Sequence, residues 1–293
     1  MVGEKKWLPY VLLLPWGIGF LLFKVYPFIN SFVMSLFEKK GRTSTFVGLH
    51  HYRELFDTTL TIGQDFLNSL KVTFIYVFIT VPLILIVSLF IAHILSKKIK
   101  GIGFFRTAFY IPTLLGANVA IVFLWRYIFE TEGLINHFLA VFGIERIPFL
   151  GKPAGAMASI IALRVWQFGS TMLIFLNALK NVPETLYEAA MIDGANKVQQ
   201  FRHITLPMIT PIILFNGVMR LIECFQAFNG PHLITQGGPE NSTRLINLLI
   251  YETAFDGGNL NLGSAMSWIL FLIIMIFTIL IFRSSRYWVY YQD

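Results

Sequence analysis

Five polar residues interrupt an apolar run in the last third of the chain: Asn216, Arg220, Glu223, Gln226 and, further on, Asn229. Asn216, Arg220 and Glu223 fall at i, i+4 and i+7, so a helix puts them on one face and lets Arg220 pair with Glu223. Polar side chains in so apolar a segment are expensive and ordinarily face a cavity or a partner. Amides, a carboxylate and a guanidinium, with Phe225 and Phe228 as aromatic planes, can grip a hydroxyl-rich ligand such as a sugar without reacting with it. The other reading is that Arg220 and Glu223 neutralise each other against a neighbouring subunit. Arg164 and Gln167 in one earlier apolar run, and Asn118 in another, are further candidates to line the same path. Each has a plainer reading: Arg164 as a side chain snorkelling to the outer surface, Asn118 as a bond to another helix.

Nothing in the chain reads as reaction chemistry. There is no G-x-x-x-x-G-K-[ST] to cradle a nucleotide, no H-E-x-x-H and no G-x-S-x-G. The six histidines and the carboxylates form no acid–base constellation. A lone cysteine, Cys224, excludes an intramolecular disulfide and a Cys-based zinc site. His50 and His51 point apart if helical and lack a third ligand. No catalytic residue, metal ligand or chain-bound cofactor is expected.

The elements that hold these residues belong to a membrane protein. Hydrophobic residues make up 56% of the chain and charged ones 13%, with a mean hydropathy of +0.66; soluble domains carry about 25% charge. Six apolar segments, near 9–35, 70–95, 105–128, 157–179, 208–230 and 264–283, are long enough for the roughly 20 helical residues a bilayer requires. The first is too long for a signal peptide and carries Lys24 and Pro27, so it reads as a retained span. The net charge of +7 is spread between apolar runs and forms no nucleic-acid face. Basic residues are denser in one set of connections, which includes Lys97, Lys98, Lys100, Lys180, Arg202 and Arg283, than in the longer loops containing Arg53, Arg126 and Arg146. The denser set is cytoplasmic by the positive-inside rule, which places both termini inside.

Between the fourth and fifth spans lies a polar island, Pro183 to Pro211. Pro183 suits a first helical turn, Asn181 can cap it, and Glu184 and Glu188 sit near its positive end. Gly194 stops this helix; Asn196 caps a second one, expected to end before Leu206-Pro207. Leu186, Ala189, Ala190 and Asp193 share a face whose small residues allow close approach by another backbone.

The run Glu188, Ala189, Ala190, Asp193, Gly194, Ala195, followed by Ile204, Leu206 and Pro207, closely resembles the signature loop of permease subunits of binding-protein-dependent ABC importers. Further fragments extend the resemblance over nearly the whole chain: Phe46-Val47-Gly48-Leu49 with Tyr52, Gly133-Leu134-Ile135-Asn136, Thr235-Gln236-Gly237-Gly238-Pro239 with Thr243, and Ala265-Met266-Ser267-Trp268. In that order they look like the branch that carries sugars, oligosaccharides and glycerol phosphate. His50-His51 departs from the pair usual there. Arg220 departs too, in a span that is mostly uncharged in relatives, and hints at an acidic or unusually polar ligand.

The resemblance implies an all-α membrane protein with six transmembrane helices, a single permease domain over 1–293 with the type I importer (MetI-like) fold, in a bacterial inner or plasma membrane. It implies that loop 180–207 is a cytoplasmic coupling helix seated in a groove of an ATPase. The expected partners are a homologous second permease, two copies of that ATPase with ATP and Mg on it, an extracytoplasmic solute-binding protein, a sugar or oligosaccharide, and membrane lipid. A multi-pass enzyme acting on lipid or glycan, and a stand-alone channel or secondary transporter, are the competing readings.

Overall fold

The computed structural model describes residues 7–41, 43–97, 101–115 and 119–290. Along the chain run α1 (Leu8–Phe20), α2 (Tyr26–Ser35), β1 (Phe37–Lys40), β2 (Thr43–Phe46), α3 (His50–Phe56), α4 (Thr61–Ser96), α5 (Ile102–Leu115), α6 (Val119–Phe129) and α7 (Leu134–Val141). There follow α8 (Pro153–Trp166), α9 (Gly169–Lys180), α10 (Glu184–Ile192), α11 (Lys197–Gln200), α12 (Leu206–Met208), α13 (Thr210–Phe225), α14 (Ile246–Tyr251) and α15 (Leu260–Ser285). Among the described residues three helical stretches are long and apolar enough to cross a membrane, Tyr10–Ser35, Thr61–Ser96 and Leu260–Ser285; the number rises to six if each bent pair is one span.

The bends are what the apolar runs did not disclose. α8 and α9 meet at 46°, and Lys197–Met208 meets Thr210–Phe225 at 64°. The third expected span is divided into α5 and α6 on either side of residues 116–118; Asn118 therefore lies outside the described residues. At the α8–α9 break, a Cβ on Gly169 would stand 2.5 Å from the Phe109 carbonyl oxygen. Only glycine lets α9 begin so close to the α5 backbone.

The chain divides into two compact units. The first comprises residues 1–67 and 250–271. Within it α1 and α2 are joined by a wider, π-helical turn at Leu21–Val25, so that 8–35 runs on as a nearly continuous apolar helix despite Pro15. Phe28 and Phe32 pack on Trp268 at 4.6 and 4.8 Å between ring centroids, and the Asn261 amide donates to the Met34 carbonyl at 2.8 Å. β1 and β2 form an antiparallel hairpin that the all-helical reading did not include. Two strands alone are marginal. This pair is anchored at its base, where the Leu36 carbonyl accepts from Val47 and Gly48 N–H at 2.9 and 3.1 Å. His51 is buried, with Nε2 3.1 Å from the Phe37 carbonyl oxygen. Asp57, on the exposed turn before α4, accepts from the Thr59 hydroxyl and amide, which hold its carboxyl below the usual range.

The second unit comprises residues 68–249 and 272–293. Its core gathers Ala92 and Leu95 of α4, Phe168, Met172, Phe175, Leu176 and Leu179 around α9, and Val182 and Ile209. Polar side chains pin the helices to one another. Ser88 donates to the Phe168 carbonyl, Trp125 Nε1 to the Ser159 carbonyl, and Thr73 Oγ1 accepts from Ile246 N–H. Thr243 is buried, and its hydroxyl donates to Thr235 Oγ1 at 2.6 Å, which donates on to the Pro231 carbonyl. This accounts for Thr243 accompanying Thr235-Gln236-Gly237-Gly238-Pro239 in the sequence.

Candidate functional site: a charged cavity and a bent helical island

Arg164 lies near the end of α8, Gln167 in the break that follows and Ser170 in the first turn of α9; Arg220 and Glu223 occupy the last two turns of α13. The bends aim these groups at a common cavity of about 540 Å³, which Gln226, Asn229, Phe228, Thr113 and Tyr76 also line. The pairing expected from the i, i+3 spacing is made: Arg220 Nη1 donates to Glu223 Oε2 at 2.7 Å. The same oxygen accepts from Arg164 Nη2. Arg164 does not snorkel to the surface; it turns inward, with its other amino group 3.1 Å from Gln167 Oε1. Arg220 Nη2 in turn donates to Ser170 Oγ at 3.2 Å. Two guanidiniums thus share one carboxylate, and each is steadied by a neutral acceptor.

Not every candidate reaches this cavity. Asn216 is buried outside its lining, and neither amide atom has a hydrogen-bond partner. Phe225, expected to offer an aromatic plane, is buried against Phe74 and Phe277 at 5.7 and 5.8 Å. Phe228 lines the cavity, its ring stacked on His232 at 4.9 Å. Sequence reasoning missed Ser170, Thr113 and Tyr76, whose single hydroxyls in apolar runs carry no periodic signal. Among the described residues no group of three or more His, Cys, Asp or Glu is placed to hold a metal ion.

The island is a second site, built from local bonds. α10 ends as expected at Gly194, whose φ of +80° is open to glycine and strained for other residues. Gly194 N–H donates to the Met191 carbonyl at 3.1 Å and Ala195 N–H to the Ala190 carbonyl at 2.8 Å, the paired bonds of a Schellman turn. A Cβ at Gly194 would meet nothing within 4 Å, so glycine is required there for its torsion and not for space. Asn196 caps the next helix: Oδ1 accepts from Val198 and Gln199 N–H, and Asn196 N–H donates to Gln199 Oε1 at 2.8 Å. Two expectations fail. Asn181 ends α9 and caps nothing, because Pro183 occupies the cap position of α10 with extended backbone. The second helix does not stop before Leu206-Pro207; a π-helical turn at Phe201–Thr205 carries it on to Met208, since that wider turn accommodates the missing Pro207 N–H. Unforeseen was the tie between the limbs, Tyr187 OH to Thr205 Oγ1 at 2.8 Å.

Of the residues in the signature run, Leu186, Glu188, Ala189, Asp193 and Gly194 are exposed, Ala190, Ala195, Leu206 and Pro207 partly covered. The tip is apolar as well as exposed: Ile192 is 87% accessible, Val198 75% and Met191 59%.

Residues 64–289 match the family model described as the inner membrane component of binding-protein-dependent transport systems. The chain is 42% identical over 288 residues to a probable ABC transporter permease of Bacillus subtilis, YesP, covering 97% of this chain and 92% of the relative. It is 31% identical to the trehalose/maltose transport system permease MalF of Thermococcus litoralis, over 96% and 94% of the two chains. Among solved structures it superposes on a chain of a bacterial ABC transporter involved in the import of alginate, with a TM-score of 0.82, 24% identity and 97% of this chain covered.

Proposed function

The chain belongs to the family of binding-protein-dependent transport system inner membrane components, and on that premise we propose that it forms one half of the path by which an ABC importer carries a saccharide across the membrane. It is a transport subunit that catalyses nothing itself. The observation that carries the reading is the polar cavity, about 540 Å³ of space lined by Gln167, Ser170, Gln226 and Asn229 with the Phe228 ring beside them. Such sites, few per protein and mostly pre-formed, are the usual size for small ligands. The Thermococcus relative, named for trehalose and maltose transport, supports a sugar as cargo.

The exposed apolar tip of the island is the coupling surface. On a loop that the basic residues assign to the cytoplasm, with both termini, Met191, Ile192 and Val198 are costly unless a partner covers them. That partner is the ATPase, present in two copies with ATP and Mg bound to it and none to this chain. A homologous second permease completes the path, and an extracytoplasmic binding protein delivers the cargo. When ATP closes the ATPase dimer, α10 moves with its groove, and the Schellman and capping-box bonds pass that movement to α11–α12 and so to the bend before α13. The loop transmits only as much free energy as its contacts with the two ATPase states differ by.

Reconstitution tests this. Liposomes holding both permeases and the ATPase, supplied with the binding protein, are expected to accumulate labelled oligosaccharide only with ATP, and Ile192→Asp is expected to lose both ATPase retention and uptake. Accumulation of amino acids or metal ions in place of every saccharide tried would sink the proposal.

A further inference from the structure

From the charge count inside the cavity, and resting on the reading of that cavity as a saccharide path, we infer that the cargo is an acidic saccharide whose carboxylate is received between Arg164 and Arg220. Arginine stays protonated at any physiological pH, so the two guanidiniums contribute two positive charges. Among the described residues that line the cavity, Glu223 is the only carboxylate. Its Oε2 alone receives both arginines. The remaining polar lining, Tyr76, Thr113, Gln167, Ser170, Gln226 and Asn229, is neutral. The site therefore holds one surplus positive charge within apolar segments, where charge is costly unless matched.

The hydrogen bonds point the same way. The acceptors already present, Glu223, Gln167 Oε1 and Ser170 Oγ, each hold an arginine in place and leave the site rich in donors. A planar carboxylate meets guanidinium forks in paired, charge-assisted bonds, which is the geometry two arginines on neighbouring helices offer. A sugar phosphate would supply the same kind of anion, but a phosphate monoester carries about −1.5 to −2 and exceeds the surplus. A uronate carries one charge and balances it.

The test uses the complete importer in liposomes with its binding protein, and three sets of probes: disaccharides that carry a single uronate, such as glucuronosyl-galactose, their neutral counterparts, such as glucosyl-galactose, and hexose phosphates. Uronates are expected to enter at least about tenfold faster than the neutral sugars. Arg220→Gln leaves the Arg164–Glu223 pair balanced and is expected to assemble with the ATPase, yet to shrink that ratio about tenfold; Arg220→Lys, which keeps the charge, is expected to restore part of it. Because the binding protein is the same in every arm, the change in ratio reports the permease. Equal rates for uronates and neutral sugars, or a ratio that Arg220→Gln leaves unchanged in an assembled complex, overturns the inference while leaving saccharide transport standing. Faster entry of hexose phosphates than uronates also overturns it. Transport of no saccharide from any set overturns the underlying reading instead.

Discussion

In the bend between α10 and α11 the bonds that shape the turn join residues no more than 18 positions apart, whereas in the cavity Arg164 reaches Glu223 across 59 and Arg220 reaches Ser170 across 50. The island is therefore written into its own thirty or so residues, by glycine torsion, caps and proline. The cavity exists only after α8, α9 and α13 have packed. The turn of the first is shaped by bonds made within the island itself. The second changes shape whenever those helices shift relative to one another.

The difference predicts where mutations hurt stability and where they hurt function. The largest stability effect is expected from Glu223→Gln, which leaves two guanidiniums facing each other. Breaking a fully buried pair costs about 3–5 kcal/mol; with the Glu223 side chain 37% exposed to the cavity, about 2 kcal/mol is the expected loss. Arg220→Gln, which removes charge instead of stranding it, is expected to cost well under half of that. Thermal inactivation half-lives of the assembled importer, compared for the two variants, check the order. If Arg220→Gln inactivates faster than Glu223→Gln, the three charges do not share the load as the geometry indicates.

That asymmetry also explains what the sequence disclosed. The apolar runs gave the membrane class and the helical stretches, and the signature residues Glu188, Ala189, Ala190 and Gly194 gave the island, because both signals are carried by neighbours in the chain. The Arg220–Glu223 pair was legible for the same reason. Arg164 was legible as a candidate for the path but not as a partner of Glu223, which lies on another helix and leaves no spacing signal. Phe225 failed in the same manner, since helical spacing puts it close to the cavity face and only packing against Phe74 and Phe277 turns it away. The β1–β2 hairpin escaped because its short strands, Phe37–Lys40 and Thr43–Phe46, have little apolar alternation.

Gly194→Val probes the island's local code. With φ at +80° and open space around the missing Cβ, the penalty is torsional, about 1–2 kcal/mol. The variant is expected to express and assemble while ATP hydrolysis no longer drives uptake in proportion. Gly194→Asn, which tolerates this torsion, is expected to keep most of the coupling. Normal uptake and normal binding-protein-stimulated ATPase activity in Gly194→Val would show that the turn is not the joint. Asn196→Ala removes the capping box and is expected to cost about 1 kcal/mol, with a smaller drop in coupling that Asn196→Asp reverses.

The finest test of the comparison belongs to Tyr187→Phe. The Tyr187–Thr205 bond links the two limbs of the island across the turn. Thr205 is buried and Tyr187 half-buried, so deleting the hydroxyl is expected to cost about 1 kcal/mol without disturbing either helix cap. If the caps alone set the angle of the bend, uptake per ATP hydrolysed stays at the wild-type value. If the limbs must be tied to move together, that ratio falls although both helices remain intact, and Thr205→Val lowers it equally. A double variant no worse than either single one would then show that both residues act through the same bond, since effects that share one interaction do not add.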